Sequence, residues 1–375
     1  MKILVVGTGF SGATIARLLH ESNHDVSIIE KEEYVGGLSI TRVSPNGYKY
    51  EPFGARTFHT KKDEIRDFVL RFGEFNDYIH RKGMILNGEL FPFPITRSAA
   101  GRLPEAEEIF KELDNRPDEV DKTNFETACK SIFSPILYRY FIENYTTKMW
   151  GMTPDKLTAE WAPKRLEFGK EDDDWLFKGQ WQGLPKEGYS CLLEKIIKGI
   201  PITLNCTSYN TNEYDLVIST AQIDEVLDFK YGKLPYRSMK FEHFTDEEWE
   251  KDNYGTMNLP QHEKFIRKCN FKILHKQDLD KSTNWIQYQE PIPADENNLP
   301  MYPINTNENN DLFDKYLKDI CKTNIFPAGR LGLFKYLDMD KAVEISFDLV
   351  DLIENYTELS PEQRYSKIKI IRGKY

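Results

Sequence analysis

The chain is poor in cysteine. Five of its 375 residues are cysteines (Cys129, Cys191, Cys206, Cys269 and Cys321), scattered, odd in number and free of any C-x-x-C spacing. That argues against a disulfide framework, a zinc site and the redox-active thiol pair of disulfide-exchanging enzymes. Long apolar runs are also lacking. The opening run Lys2–Val6 is cut at once by Gly7, so it reads as neither a signal peptide nor a membrane span. Positive charge is not in excess: 50 Lys and Arg against 60 Asp and Glu leave a net charge of −10, a poor balance for binding nucleic acid. No internal repeat or low-complexity segment interrupts the chain. These absences lead us to expect a cytoplasmic protein with no nucleic-acid partner, no membrane partner and no metal site. With 40% hydrophobic and 29% charged residues the composition is that of an ordinary globular protein, long enough for two or three packed units.

What is present is concentrated in the first forty residues. Lys2-Ile3-Leu4-Val5-Val6 has the character of a buried parallel strand. Gly7-Thr8-Gly9-Phe10-Ser11-Gly12 follows, and Ala13 to His20 carries apolar residues at helical spacing. Asp25 to Glu30 reads as a second strand closed by an acid, eighteen residues after Gly12. This is G-x-G-x-x-G in its full context. Gly7 permits the turn, Gly9 lets backbone N–H groups approach a pyrophosphate, and Gly12 lets helix and strand pack closely. The helix start, with Phe10 and Ser11, faces the phosphates, and Glu30 would accept hydrogen bonds from a ribose. Glu30-Lys31 is followed six residues after the acid by Gly36-Gly37. A diglycine there lets a second loop lie against the same pyrophosphate, which favours FAD over NAD.

Farther along, Asn87-Gly88 between apolar runs predicts a hairpin within Met84–Ile95. Residues 104–150 carry helical spacing through Ile109, Leu113, Phe125, Ile132 and Phe141, which suggests an inserted helical unit. Residues 165–189 and 236–304 alternate and are rich in aromatics, as antiparallel strands are. The strand Asp215–Thr220, the strand and turn Ile325–Arg330, and a helix begun by Asp338 or Asp340 as N-cap return to the first fold. The basic tail from Lys367 reads as a solvated end. The expected fold class is α/β: a discontinuous FAD-binding Rossmann-like domain (1–80, 190–237 and 318–375), an inserted helical domain (97–160), and an antiparallel β-sheet domain (81–96, 161–189 and 238–317).

Several segments, in order along nearly the whole chain, together resemble the UDP-galactopyranose mutases. They are the opening fingerprint, Gly54-Ala55-Arg56-Thr57-Phe58-His59-Thr60, Tyr145-Thr146-Thr147-Lys148-Met149-Trp150-Gly151, Lys164-Arg165, Gln182-Gly183-Leu184-Pro185, Leu234 to Glu242, Tyr302-Pro303-Ile304-Asn305, and Gly329 through Met339. The resemblance implies a redox-neutral use of reduced FAD. Flavin N5 attacks the anomeric carbon of a UDP-sugar, a covalent flavin–sugar intermediate opens and recloses the ring, and UDP returns. It implies a UDP-sugar substrate, a reductant such as NAD(P)H, and a homodimer. It assigns Arg165 and Arg267 to the diphosphate, the role bidentate arginines suit. Tyr302 and Tyr336 also meet the diphosphate, Tyr145 lies beside the uracil, and Trp150 sits on a mobile substrate-covering loop, with Phe141 and Trp181 in the same substrate set. His59 lines the flavin, and Arg330, Asp338 and Met339 join Lys31, Gly37 and Leu38 on the cofactor side.

The chain departs from the family at three points. Arg56 stands where His is common, Trp181 where a diphosphate-binding Tyr is common, and Leu38 where Asn follows the diglycine. Arg56 adds a fixed charge near the flavin, and Trp181 is bulkier than Tyr and cannot accept a hydrogen bond. Together they point either to a changed sugar preference, with a pentose such as UDP-arabinopyranose fitting a reduced pocket, or to neutral changes compensated by their neighbours. A flavin oxidase or desaturase of the same fold is the competing enzyme class. A non-catalytic binder of the GDP-dissociation-inhibitor type is disfavoured by the intact Gly7, Gly9, Gly12 and Glu30 set. The purified protein should be yellow and release FAD on heat extraction; a colourless protein that cannot be reconstituted with FAD would remove the flavin reading.

Overall fold

The first apolar run becomes the central strand of a parallel sheet. The computed structural model describes residues 1–159, 175–245, 248–249, 253–277, 279 and 283–375. In it Lys2–Val6 lies between Asp25–Ile29 and Leu216–Ser219, with Ile202–Thr203 and Ile325–Pro327 at the edges and every pairing parallel. Ile3, Leu4 and Val5 are fully buried, as strands covered on both faces are. The sheet is thus assembled from distant stretches of chain, which makes the Rossmann-like unit discontinuous. The helix after the first strand runs Phe10–Glu21. It starts three residues before the expected Ala13, so Gly12 lies inside it.

A second sheet has seven strands, in the order Tyr302–Pro303, Tyr236–Phe244, Ile286–Pro293, Arg267–Asn270, Thr256–Asn258, Lys82–Leu86 and Glu89–Phe93. The last two form the hairpin, with Asn87 at φ 50° and Gly88 at φ 79°, the left-handed pair such a two-residue turn needs. The sheet is mixed rather than purely antiparallel, because Thr256–Asn258 joins Lys82–Leu86 in parallel. Strand alternation carries no direction, and a hairpin arriving from far upstream is not held antiparallel by a short connection. Two stretches read with this sheet pack elsewhere. Trp181–Gly183 pairs with Phe58–Thr60 in a separate two-stranded sheet. Helix Asn307–Ile320 sets Phe313, Tyr316, Leu317 and Ile320 into the core of the parallel sheet.

The helical insertion shares its core with the hairpin: Phe125, Leu137 and Phe141 pack with Met84, Leu86 and Phe91. Helix Phe125–Ile132 opens on a capping box between Asn124 and Thr127, which satisfies two otherwise orphaned donors. Helix Met339–Ile353 has Asp338 at its N-cap position, but the Asp338 side chain accepts no capping hydrogen bond. All five cysteines are free. Among the described residues no helix is long and apolar enough to cross a membrane.

The basic tail is not a solvated end. Pro361–Lys374 is a helix with its own capping box, formed by Ser360 and Gln363, and it buries Ile368 and Ile371. Arg372 donates to the Leu333 carbonyl at 2.8 Å, the Phe334 carbonyl at 3.0 Å and Asn310 Oδ1 at 2.8 Å, and lies over the Phe313 ring at 4.5 Å. Phe334 has φ 44°, an uncommon conformation for an aromatic residue, and the tail braces that corner just before Tyr336. Arg372→Ala should destabilise the protein by about 2 kcal/mol, since it leaves two carbonyls without their donor. Equilibrium urea unfolding checks this: an unchanged midpoint would show that the tail does not brace the corner.

Candidate active site

The glycine turn owes its shape to close packing. A Cβ on Gly12 would sit 2.1 Å from the Gly7 carbonyl oxygen, so no other residue lets the helix approach the strand this closely. Gly9 is the N-cap of the helix and offers no side-chain cap, which leaves the first N–H groups without an intrahelical partner. Around Gly9 an added Cβ would meet nothing within 4 Å. The donors, the positive end of the helix and this open space fit a pyrophosphate, and no feature of the turn opposes one. Glu30 is 4% exposed. One carboxylate oxygen accepts from Thr8 N at 2.9 Å and Thr8 Oγ1 at 2.6 Å, and the other from Glu32 N at 3.1 Å. The same Thr8 hydroxyl accepts from Gly36 N at 3.0 Å and so ties the acid to the diglycine loop. Gly36 has φ 123°, open only to glycine at low cost.

From this turn a cavity of about 1010 Å³ runs to the seven-stranded sheet. That is at the top of the about 300–1,000 Å³ usual for small-molecule sites. Among the described residues three arginines line it: Arg56, Arg267 and Arg330. Among the described residues none of them pairs with a carboxylate. Arg267, on strand Arg267–Asn270, donates to Asn258 Oδ1 at 3.2 Å and to the Tyr145 hydroxyl at 2.5 Å. Arg330 donates to the carbonyls of Met301 and Leu337 at 3.0 and 2.5 Å and lies over the rings of Tyr302 and Tyr336. Those two rings are stacked, 5.8 Å apart and 12° from parallel. Arg56 donates to the Leu38 and Phe53 carbonyls and to Ser39 Oγ. Half-buried cations without counter-ions are costly, so a site that keeps three is shaped for anions.

The residues expected from the sequence divide clearly. Gly7, Gly9, Phe10, Ser11, Gly12, Glu30, Lys31, Gly37, Leu38, Arg56, His59, Arg267, Tyr302, Arg330, Tyr336, Asp338 and Met339 all line the cavity. Tyr145 stands behind the wall and reaches it through Arg267. Three others do not line it either. Phe141 is 1% exposed and packs edge-on against Phe91. Trp150 ends helix Asn144–Trp150 in the core of the helical unit. Trp181 packs on Phe58 and Phe75, with ring centroids 6.1 and 4.9 Å away. The crowding of a sugar pocket expected of Trp181 therefore has no geometric basis here. Its size is taken up by an aromatic cluster, which spacing along the chain does not reveal. Arg165 lies outside the described residues.

Several wall residues escaped the sequence reading. His80 is buried between the hydroxyls of Thr57 and Thr256, and burial, reinforced by Lys82 and Arg267, pushes its pKa well below the usual imidazole value. It is neutral at physiological pH. Phe177 stacks on His59 at 3.5 Å and on His80 at 5.5 Å. His59 also bonds Gln180 Oε1 through Nδ1 at 3.0 Å. It comes together with Asp338 and Asp340, their ligand-type atoms within 4.8 Å of one another. Burial raises the pKa of Asp340, while His59 pulls it down. His80 and Phe177, which line the cavity, carried no sequence signal; Asp340, beside it, carried one, its place at the start of a helix, and that signal spoke of capping rather than of the cavity.

The chain matches the UDP-galactopyranose mutase family over residues 140–336 and a NAD(P)-binding Rossmann-like domain over residues 5–72. It is 28% identical to the dTDP-fucopyranose mutase of Escherichia coli, over 95% of this chain and 100% of that protein. It is 29% identical to a probable UDP-galactopyranose mutase of Klebsiella pneumoniae, over 96% and 97% of the two chains. The UDP-galactopyranose mutase of Mycoplasma genitalium is also 29% identical, over 92% of each. The fold superposes on that of a crystal structure of reduced UDP-galactopyranose mutase with a TM-score of 0.79 at 17% identity, over 99% of this chain and 98% of the other. A putative protoporphyrinogen oxidase from Exiguobacterium superposes at 0.67 with 13% identity, over 94% of this chain and 98% of that one. The fold alone therefore does not choose the chemistry. The match along the chain does: it covers more than half of the residues and includes Arg267, Tyr302, Arg330 and Tyr336, and the chain belongs to the UDP-galactopyranose mutase family of isomerases.

Proposed function

We propose that the chain is an FAD-dependent mutase that interconverts the pyranose and furanose forms of a UDP-sugar, with UDP-galactose as the default substrate. The observation that supports this most is the union, in one cavity, of a glycine turn of the dinucleotide-binding kind with guanidinium groups that, among the described residues, no carboxylate pairs with directly. The turn, Glu30 and the diglycine loop would hold the FAD. Reduced flavin, once bound, supplies a nucleophile for the anomeric carbon, so substrate and product remain isomers with no net oxidation. A hydride donor such as NAD(P)H would prime the cofactor.

The work of the chain is to hold and neutralise the diphosphate. Arg267 is pre-set by Asn258 and Tyr145, so it loses little freedom when an anion binds. Its charge matters most as the nucleotide leaves, when negative charge collects on the departing phosphate. The stacked Tyr302 and Tyr336, held under Arg330, bring hydroxyls to the same wall. Arg165 joins them by resemblance. The five unpaired thiols fit a reducing, cytoplasmic setting, and a homodimer is the assembly the resemblance favours. The likeness to a dTDP-fucopyranose mutase brings both the base and the sugar's C6 group into the choice of substrate.

Dithionite-reduced protein should convert one member of a panel of UDP-galactopyranose, UDP-arabinopyranose and dTDP-fucopyranose to its furanose form, with no reductant consumed per turnover. Oxygen uptake or NAD(P)H oxidation in step with product would favour an oxidoreductase instead. Arg267→Ala should lower kcat/KM by roughly 10- to 150-fold, the value of a lost charge-assisted contact of ~1.5–3 kcal/mol, while FAD stays bound. Arg165→Ala should act in the same direction. Unchanged kinetics for Arg267→Ala would mean that the diphosphate lies elsewhere.

A further inference from the structure

Arg56 differs from the other two arginines in what it is fixed to. Arg267 belongs to the seven-stranded sheet and Arg330 to the tyrosine pair. Arg56 is bolted to the dinucleotide half of the cavity. Its Nη1 donates to the Leu38 carbonyl and to Ser39 Oγ, and its Nη2 to the Phe53 carbonyl. Leu38 directly follows the diglycine, whose Gly36 is hooked to Thr8, and an added Cβ on Gly37 would touch Gly9 at 3.6 Å. These bonds use three of the five guanidinium donors and leave two, on Nε and Nη2, with no partner among the described residues. Among the described residues no carboxylate lies within ion-pair distance of the group: buried Glu51, engaged by Thr41 and His275, acts on it only from farther off, and Arg330 places a second positive charge nearby. The site thus keeps an oriented cation, with no direct ion-pair partner among the described residues, where the cofactor, rather than the diphosphate of a substrate, would lie.

Oxidised flavin is neutral in its ring. A hydride from a nicotinamide donor, or two electrons from dithionite with one proton from water, adds two electrons and one proton, which leaves the ring with one negative charge. A cation beside a charge that appears only on reduction favours the reduced state, and does so more strongly where water is scarce. A histidine in this place would lose its charge around neutral pH, whereas an arginine keeps it.

We propose that Arg56 is a redox-tuning residue, a permanent cation that stabilises the anionic reduced flavin and so makes the bound cofactor easier to reduce. The inference rests on FAD being the dinucleotide held here.

The test is the two-electron midpoint potential of FAD bound to the full chain, read by dye equilibration for the unsubstituted protein, Arg56→Lys and Arg56→Gln. Arg56→Gln should lower the potential by at least the equivalent of a tenfold change in the reduction equilibrium, about 30 mV for a two-electron couple. Arg56→Lys, which keeps the charge without the fork, should fall by less. A potential in Arg56→Gln equal to that of the unsubstituted protein, with FAD bound, would overturn the proposal and leave Arg56 a loop clamp. A second readout needs no variant. The absorbance of the reduced flavin in the unsubstituted protein should stay that of the anion as pH falls from 8 to 6, and protonation within that range would also overturn it. Failure to bind FAD at all would instead defeat the functional reading on which this rests.

Discussion

Everything in this molecule is referred to one close approach. Helix Phe10–Glu21 lies so near the end of the first strand that a single methyl on Gly12 would collide with the Gly7 carbonyl. That contact sets the helix N-terminus directly over the strand end, with its unpartnered N–H groups aimed out of the sheet. Thr8 then gathers the acid of the second strand and the backbone of the diglycine loop onto the same turn. The result is a rigid turn, built almost wholly from backbone, whose shape and donors fit a pyrophosphate.

The second constraint is electrostatic. An acidic protein, with a net charge of −10, nevertheless keeps three arginines around one cavity without a carboxylate partner among the described residues. Their guanidinium groups are held by carbonyls, hydroxyls and one amide oxygen, which orient the charge and do not cancel it. Such an arrangement costs folding stability and is sensible only where an anion completes it. Orienting partners also limit the entropy lost on binding, so the attraction is delivered at a defined point in the site.

The packing explains why the two halves of the cavity stay in register. The helical insertion and the hairpin share one core, and helix Asn307–Ile320 locks the segment after Tyr302 onto the core of the parallel sheet. The C-terminal helix closes the arrangement through Arg372, which holds the turn at Leu333 and Phe334 that leads into Tyr336. Residues that never meet a ligand thus decide where the tyrosine pair stands.

By itself the sequence determined the dinucleotide turn, the discontinuous parallel sheet and the Asn87-Gly88 hairpin, and most of the site residues it named fall on the cavity wall. These rest on local rules: glycine spacing, strand and helix periods, and left-handed turn residues act over a few neighbours and are written in order along the chain. Tertiary structure alone decided the rest. The parallel join of Thr256–Asn258 to the hairpin, the docking of the tail helix and the burial of Phe141, Trp150 and Trp181 depend on contacts between distant segments. An aromatic side chain has the same apolar surface whether it faces a ligand or a core, so its identity could not say which. The same holds for charge. The sequence marked Arg56 as a fixed charge, and only the folded chain shows that backbone carbonyls hold its guanidinium.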